Sequence, residues 1–208
     1  MTIAKLSDLF TLDRLLITGY SGGGKTWLLR QILLNSFFKE QNKDSVHELK
    51  ELFNHYPKVL LIEEGMPNFL ISQMATEAKI TPEEVERVFY KNVTWINNYT
   101  NEENLKEALN KSMVHKYDLI LVNLDLLENI KSGLQDLNLK GKQIVYSQSI
   151  REWDPKPGGS RVAFNLTLHS LMNHIVKIDF KEAKVEVIKS RSGRSGFSIF
   201  FKDYSFRP

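Results

Sequence analysis

Short, wholly apolar runs alternate with segments of helical spacing over most of this chain. Leu15 to Thr18 is such a run, ending at a glycine, and reads as a strand buried on both faces. WLLRQILLNSFF beyond it repeats apolar residues at helical spacing. The polar stretch SVHELKELF also carries a helical pattern and leads to a second buried strand, Val59 to Ile62. In ITPEEVERVF, Thr81 is placed to cap a helix, with Pro82 at its first position and Glu84 closing a capping box. NVTWIN, 92 to 97, is a third strand, and Thr100 with Glu103 repeats the capping-box spacing ahead of another helix. DLILVNLD, 118 to 125, and GKQIVYSQS, 141 to 149, are the fourth and fifth strands.

The texture then changes. REWDPKPGGSR combines proline, glycine and charge as an exposed loop does, and FNLTLHSLMN is a short amphipathic helix. IVKIDF, KVEVIKS and GFSIFFKD alternate apolar with polar residues between turn signals, the signature of an antiparallel meander. The expected fold is α/β: a mostly parallel central sheet flanked by helices, extended by a C-terminal antiparallel meander. The 208 residues suit one domain over positions 1–208.

Composition narrows the chemistry. With no cysteine, disulfides, thiolate zinc sites and a cysteine nucleophile are excluded. No apolar run approaches the roughly 20 residues of a membrane-spanning helix, and MTIAKLSDLF lacks the make-up of a secretory signal, so a cytoplasmic protein with no membrane partner is expected. A formal charge of +3 permits a nucleic-acid partner without requiring one. The five histidines show no metal-ligand spacing.

Between the first strand and the first helix stands Gly19-Tyr20-Ser21-Gly22-Gly23-Gly24-Lys25-Thr26, followed by Trp27. It matches G-x-x-x-x-G-K-[ST] at every fixed position, in the order strand, loop, helix. In that pattern backbone N–H groups cradle phosphates, Lys25 reaches the β and γ phosphates, and the Thr26 hydroxyl ligands Mg²⁺; the expected cofactors are ATP and Mg²⁺. Hydrolysis needs in addition a group that orients water, a carboxylate for the metal and a sensor of the γ phosphate. Polar residues end three other strands: Glu63 and Glu64 in LIEEG, Asn123 and Asp125 in LVNLD, and Gln148 in VYSQS. In an open α/β sheet that edge is where ligands bind.

Taken in order, GYSGGGKTWLLRQ, LIEEG, YSQS, PGGSRVAFNLTLHSLMNHIVKI and KSRSGRSGFSIFF resemble the RecA/RadA recombinase family, closest to the short archaeal RadA paralogues that consist of the ATPase core alone. The resemblance covers nearly the whole chain. It implies a RecA-like P-loop NTPase core, with Glu64 as the water-activating carboxylate and Gln148 as the γ-phosphate sensor at the root of a DNA-binding loop. It also implies a role in DNA recombination and repair, with the main recombinase as a candidate partner. In the family an aspartate directly follows the apolar run of the fourth strand; this chain has Asn123 there, with Asp125 two residues later. An amide is a weaker ligand for a hard cation than a carboxylate. Slow hydrolysis is therefore expected, with the metal on Thr26 and either Asn123 or Asp125. The family's amino-terminal helical domain and a Phe-x-x-Ala tether are not found, which leaves self-association open and argues against long filaments.

Arg151, Trp153, Lys156 and Arg161 in the long loop, with Arg191 and Arg194 in the last hairpin, are the candidate single-stranded DNA contacts, since basic groups neutralise phosphates and an exposed aromatic stacks on bases. Lys189 or Arg191 could alternatively reach the ATP of a neighbouring subunit. Two other readings compete. One is a KaiC-like regulatory module that binds ATP and acts through protein contacts without DNA. The other is a small-molecule kinase, which does not account for the terminal meander.

Overall fold

A computed structural model of the protein describes residues 14–38, 57–63, 65, 67–97, 107, 116–126, 143–150, 172–191 and 195–200. The expected helices over 45–53, over most of 100–109 and over most of 164–173 lie outside the described residues, and the last two positions of the third, Met172 and Asn173, are not helical.

One eight-stranded sheet organises the molecule. Its strands are β1 (Leu15–Gly19), β2 (Val59–Ile62), β3 (Val93–Ile96), β4 (Leu119–Asn123), β5 (Gln143–Ser149), β6 (His174–Asp179), β7 (Lys184–Ser190) and β8 (Phe197–Phe200), and they lie side by side in the order β3-β2-β4-β5-β1-β6-β7-β8. The first six run parallel, and β7 and β8 return antiparallel as the meander. This is the mostly parallel, flanked sheet with an antiparallel extension that the apolar runs and the alternation predict.

The helices are α1 (Lys25–Phe37), α2 (Pro67–Ala78) and α3 (Pro82–Asn92). α3 starts as its sequence dictates, with Pro82 at the first position and the Thr81 side chain accepting a hydrogen bond from the Glu84 N–H. α2 has no counterpart in the sequence reading. Its buried residues Leu70, Ile71, Met74, Ala75 and Ala78 do repeat at helical spacing, but the segment follows Gly65 and opens on Pro67, both of which read locally as turn. Strand four is also shorter than expected: it stops at Asn123, and Leu124–Leu126 form a 3₁₀ turn.

Two core layers sandwich the sheet. Leu15, Ile17, Leu61, Leu121 and Val145 pack on one face with α1, α2 and α3, while Leu16, Leu60, Ile62, Ile120, Val122 and Tyr146 pack on the other. A polar cluster ties α1 to α2: Arg30 donates to Glu77 and Gln73, and Gln31 donates to the other Glu77 oxygen at 2.7 Å. With Arg30 and Gln31 nearly buried, their hydrogen-bonding groups need these partners, and the helix that follows the phosphate loop is fixed to the one that follows β2.

Candidate nucleotide site

The loop from Gly19 to Thr26 leaves the C-terminal end of β1 and runs into α1. Gly24 is the residue just before α1, in the left-handed region at φ 96°, with no side-chain cap on the helix. A Cβ there would stand 2.8 Å from the Phe180 ring, and one at Gly19 would stand 2.8 Å from the Ile178 carbonyl oxygen. Glycine is thus required both by backbone conformation and by the close approach of the β6 end. No acidic residue occupies the first turn of α1, so the N–H groups and positive dipole end of the helix carry no opposing carboxylate of their own. Tyr20 is 40% exposed beside this loop, and the Lys177 ammonium lies 5.0 Å from its ring centroid.

Lys25 is 8% exposed, and its ammonium donates to the carbonyl oxygens of Gly19 at 3.2 Å and Tyr20 at 3.0 Å. Burial pushes the Lys25 ammonium below the usual lysine range, while the carboxylates of Asp125 and Glu63 pull it back up. A buried cation held by two loop carbonyls and flanked by carboxylates fits a phosphate chain: incoming phosphate oxygens are acceptors of the same kind with far more charge. Thr26 is exposed in the first turn of α1, where its hydroxyl suits a hard divalent cation. Trp27 is buried at 6% exposure, with its ring edge-on to Phe180 at 5.4 Å. Its side chain braces the loop from behind, and its main chain is what can contribute to phosphate binding.

The strand-end residues converge on the same edge. Asn123 donates its Nδ2 to Glu63 Oε1 at 2.7 Å, and its Oδ1 accepts from the Asp125 N–H at 3.0 Å. Asp125 in turn accepts from Ser149 twice, from the N–H at 2.6 Å and from the hydroxyl at 2.5 Å. Ser149 faces Gly19 in register, and the Ile150 N–H donates to the Gly19 carbonyl at 2.9 Å. A hydrogen-bonded chain thus crosses the ends of β2, β4 and β5 and reaches the first glycine of the loop. Gln148 is half-buried at this edge, but alternation along β5 turns it to the face of Tyr146, away from α1. Sequence reasoning found the members of this chain except Ser149 and Ile150, whose parts depend on the turn after β4 and on the pairing of β5 with β1. Glu64, expected to activate water, lies outside the described residues.

The candidate DNA contacts divide. Arg151, Trp153, Lys156, Arg161 and Arg194 lie outside the described residues. Ile150, the last described residue before the expected loop, lies beside Gly19. Arg191 lies at the opposite edge: its N–H donates to the Asn173 carbonyl at 3.0 Å and its guanidinium to Asn173 Oδ1 at 3.3 Å, next to the start of β6. The six residues of β6 separate the two edges, about 20 Å at ~3.3 Å per residue. Arg191 therefore stands away from its own phosphate loop and could reach a nucleotide only in a neighbouring copy.

Comparison with solved structures gives the class of fold. The chain matches a crystal structure of the RadB recombinase over 89% of its own length and 84% of that chain, with a TM-score of 0.58 and 18% identity. The fold is accordingly RecA-like: a mixed, mostly parallel sheet with a P-loop after its first strand and antiparallel strands at the C-terminal end. No protein-family model matches the chain, and no curated protein does. Among the described residues no helix is long and apolar enough to cross a membrane.

Proposed function

We propose that the protein is an ATP-binding paralogue of the RecA/RadA recombinases, an accessory or regulatory factor in homologous recombination and DNA repair that binds single-stranded DNA and turns ATP over slowly. The observation that carries this reading is the Lys25 ammonium, held inside a complete phosphate loop and facing the carboxylates of Glu63 and Asp125 across a RecA-ordered sheet edge. On this reading Gly19 to Thr26 bind the phosphates and Thr26 ligands Mg²⁺, which neutralises phosphate charge. Lys25 contributes the cationic contact to the β and γ phosphates, Glu64 orients the attacking water, and Gln148, on the sheet face opposite α1, is the candidate γ-phosphate sensor only where the nucleotide extends over the strand ends. Slow turnover follows from Asn123, an amide at the position where the resembled family carries a carboxylate.

DNA binding rests on the loop that follows Ile150. The described residues before it, Ser149 and Ile150, are hydrogen-bonded to Asp125 and Gly19, which ties the end of β5 to the phosphate loop. The protein would act in the cytoplasm, with single-stranded DNA and the main recombinase as partners. A fluorescence-anisotropy titration with single- and double-stranded oligonucleotides, with and without ATP and Mg²⁺, tests the reading. Binding to the single strand that ATP strengthens, and that falls away in Arg151→Ala/Trp153→Ala/Lys156→Ala, is expected. Nucleotide binding with no DNA isotherm under any condition would favour a module that works through protein contacts alone.

A further inference from the structure

The two residues expected to serve the metal, Asn123 and Asp125, are both hydrogen-bonded within the chain that crosses the strand ends, and Glu63 belongs to the same chain. Alternation fixes the faces. Leu61 and Leu121 pack in the core layer of α1, whereas Ile62 and Val122 pack in the opposite layer. Two residues beyond Leu61 and Leu121 come Glu63 and Asn123, on the α1 face, where Lys25 and Thr26 begin the helix. The charge of Glu63 is felt at Lys25.

The amide of Asn123 is oriented from both ends. Its Oδ1 accepts from the Asp125 N–H, so its Nδ2 is the group turned to Glu63 Oε1. An NH₂ group offers no lone pair to a cation, but it is a good donor to a carboxylate that does. Asp125 exerts the larger influence on Lys25, yet each of its oxygens accepts from Ser149, at 2.6 and 2.5 Å. That geometry is a latch on the end of β5.

We propose that Glu63, aimed by Asn123, is the carboxylate that acts on the Mg²⁺ of the bound nucleotide, directly or through one of the waters this ion retains, and that Asp125 instead latches Ser149 beside the phosphate loop. The carboxylate then stands at the end of the second strand instead of the fourth. Asn123 is a positioning residue in this arrangement. The inference rests on the nucleotide-site reading above.

The test is an equilibrium titration of the full chain with a fluorescent ATP analogue, in Mg²⁺ and in EDTA, reading the factor by which Mg²⁺ tightens binding. Glu63→Gln is expected to cut that factor roughly 10- to 100-fold, the usual size for losing a supporting metal contact. Asp125→Asn should reduce the factor far less than Glu63→Gln does. The exchanged pair, Glu63→Gln with Asn123→Asp, puts one carboxylate and one amide back in contact and should restore it. An unchanged factor in Glu63→Gln, its collapse in Asp125→Asn, or no restoration in the exchanged pair overturns the proposal. Should Glu63→Gln fold poorly, Asn123→Ala keeps the carboxylate and removes its aim; the factor must then fall, and an unchanged factor counts against the proposal. A parent that binds no analogue in either buffer would instead sink the nucleotide-site reading itself.

Discussion

The parallel and antiparallel halves of the sheet are built from different sequence textures, and the contrast shows why the candidate chemistry gathers where it does. β1 and β2 are buried at every position, and β4 at all but its last. β7 and β8 alternate, with Lys184, Glu186 and Ser198 on partly or fully exposed positions. A strand covered on both faces has no room for charge along its length without a large desolvation cost, so its polar residues are forced to the ends. Glu63, Asn123, Asp125 and Ser149 are end residues of this kind or lie just beyond one, and Lys25 is brought to the same edge by the loop that follows β1. β7, by contrast, carries Lys184, Glu186 and Lys189 along its length.

Substitutions that break this contrast should differ widely in effect. Leu16, fully buried between β5 and β6, should cost about 2–5 kcal/mol as Leu16→Ala, by lost transfer energy and the cavity left behind; urea denaturation would read it.

Tyr146 makes a second, pH-dependent mark of the covered half. Burial pushes its hydroxyl up to about 12, with Arg14 acting weakly in the opposite direction. Between the unfolded value near 10 and about 12, the native state keeps a proton that the unfolded chain has lost. Stability therefore falls as pH rises through that window. The loss should approach roughly 2–3 kcal/mol, and Tyr146→Phe should remove this part of the alkaline limb in denaturation curves taken from pH 9 to 12.

Smaller effects belong to the periphery. Thr81→Ala deletes the cap of α3 and should cost about 1 kcal/mol, seen as a lower Tm. Phe200→Ser, at a position 60% exposed on the outermost strand, should stay within about 0.5 kcal/mol of the parent.

Much of this architecture could be read from the chain because its signals are local. An apolar run bounded by glycine marks a strand, Thr81-Pro82 marks a helix start, and the phosphate loop is a contiguous pattern. α2 was not read from the sequence: the segment opens among Gly65 and Pro67, residues that favour turns, and its apolar spacing runs only from Leu70 to Ala78. The extent of strand four was overdrawn because LVNLD continues the alternation, while the Asn123 side chain captures the Asp125 N–H and bends the chain into a turn. Partnerships such as Arg30 with Glu77, or Asp125 with Ser149, join residues 47 and 24 positions apart. They arise only when helices and strands pack, so no local pattern announces them. The same holds for the separation of Arg191 from the phosphate loop, which follows from the antiparallel return of β7.

The central claim is that the C-terminal edge of the parallel half is a nucleotide site built around Lys25. Titration of a fluorescent ATP analogue in Mg²⁺ against the parent and Lys25→Ala tests it most directly, with circular dichroism confirming the fold of both. The account predicts saturable binding by the parent and its loss in the folded variant, because the main cationic contact to the β and γ phosphates is gone. Equal affinity in both proteins, or no binding by the parent, would contradict it.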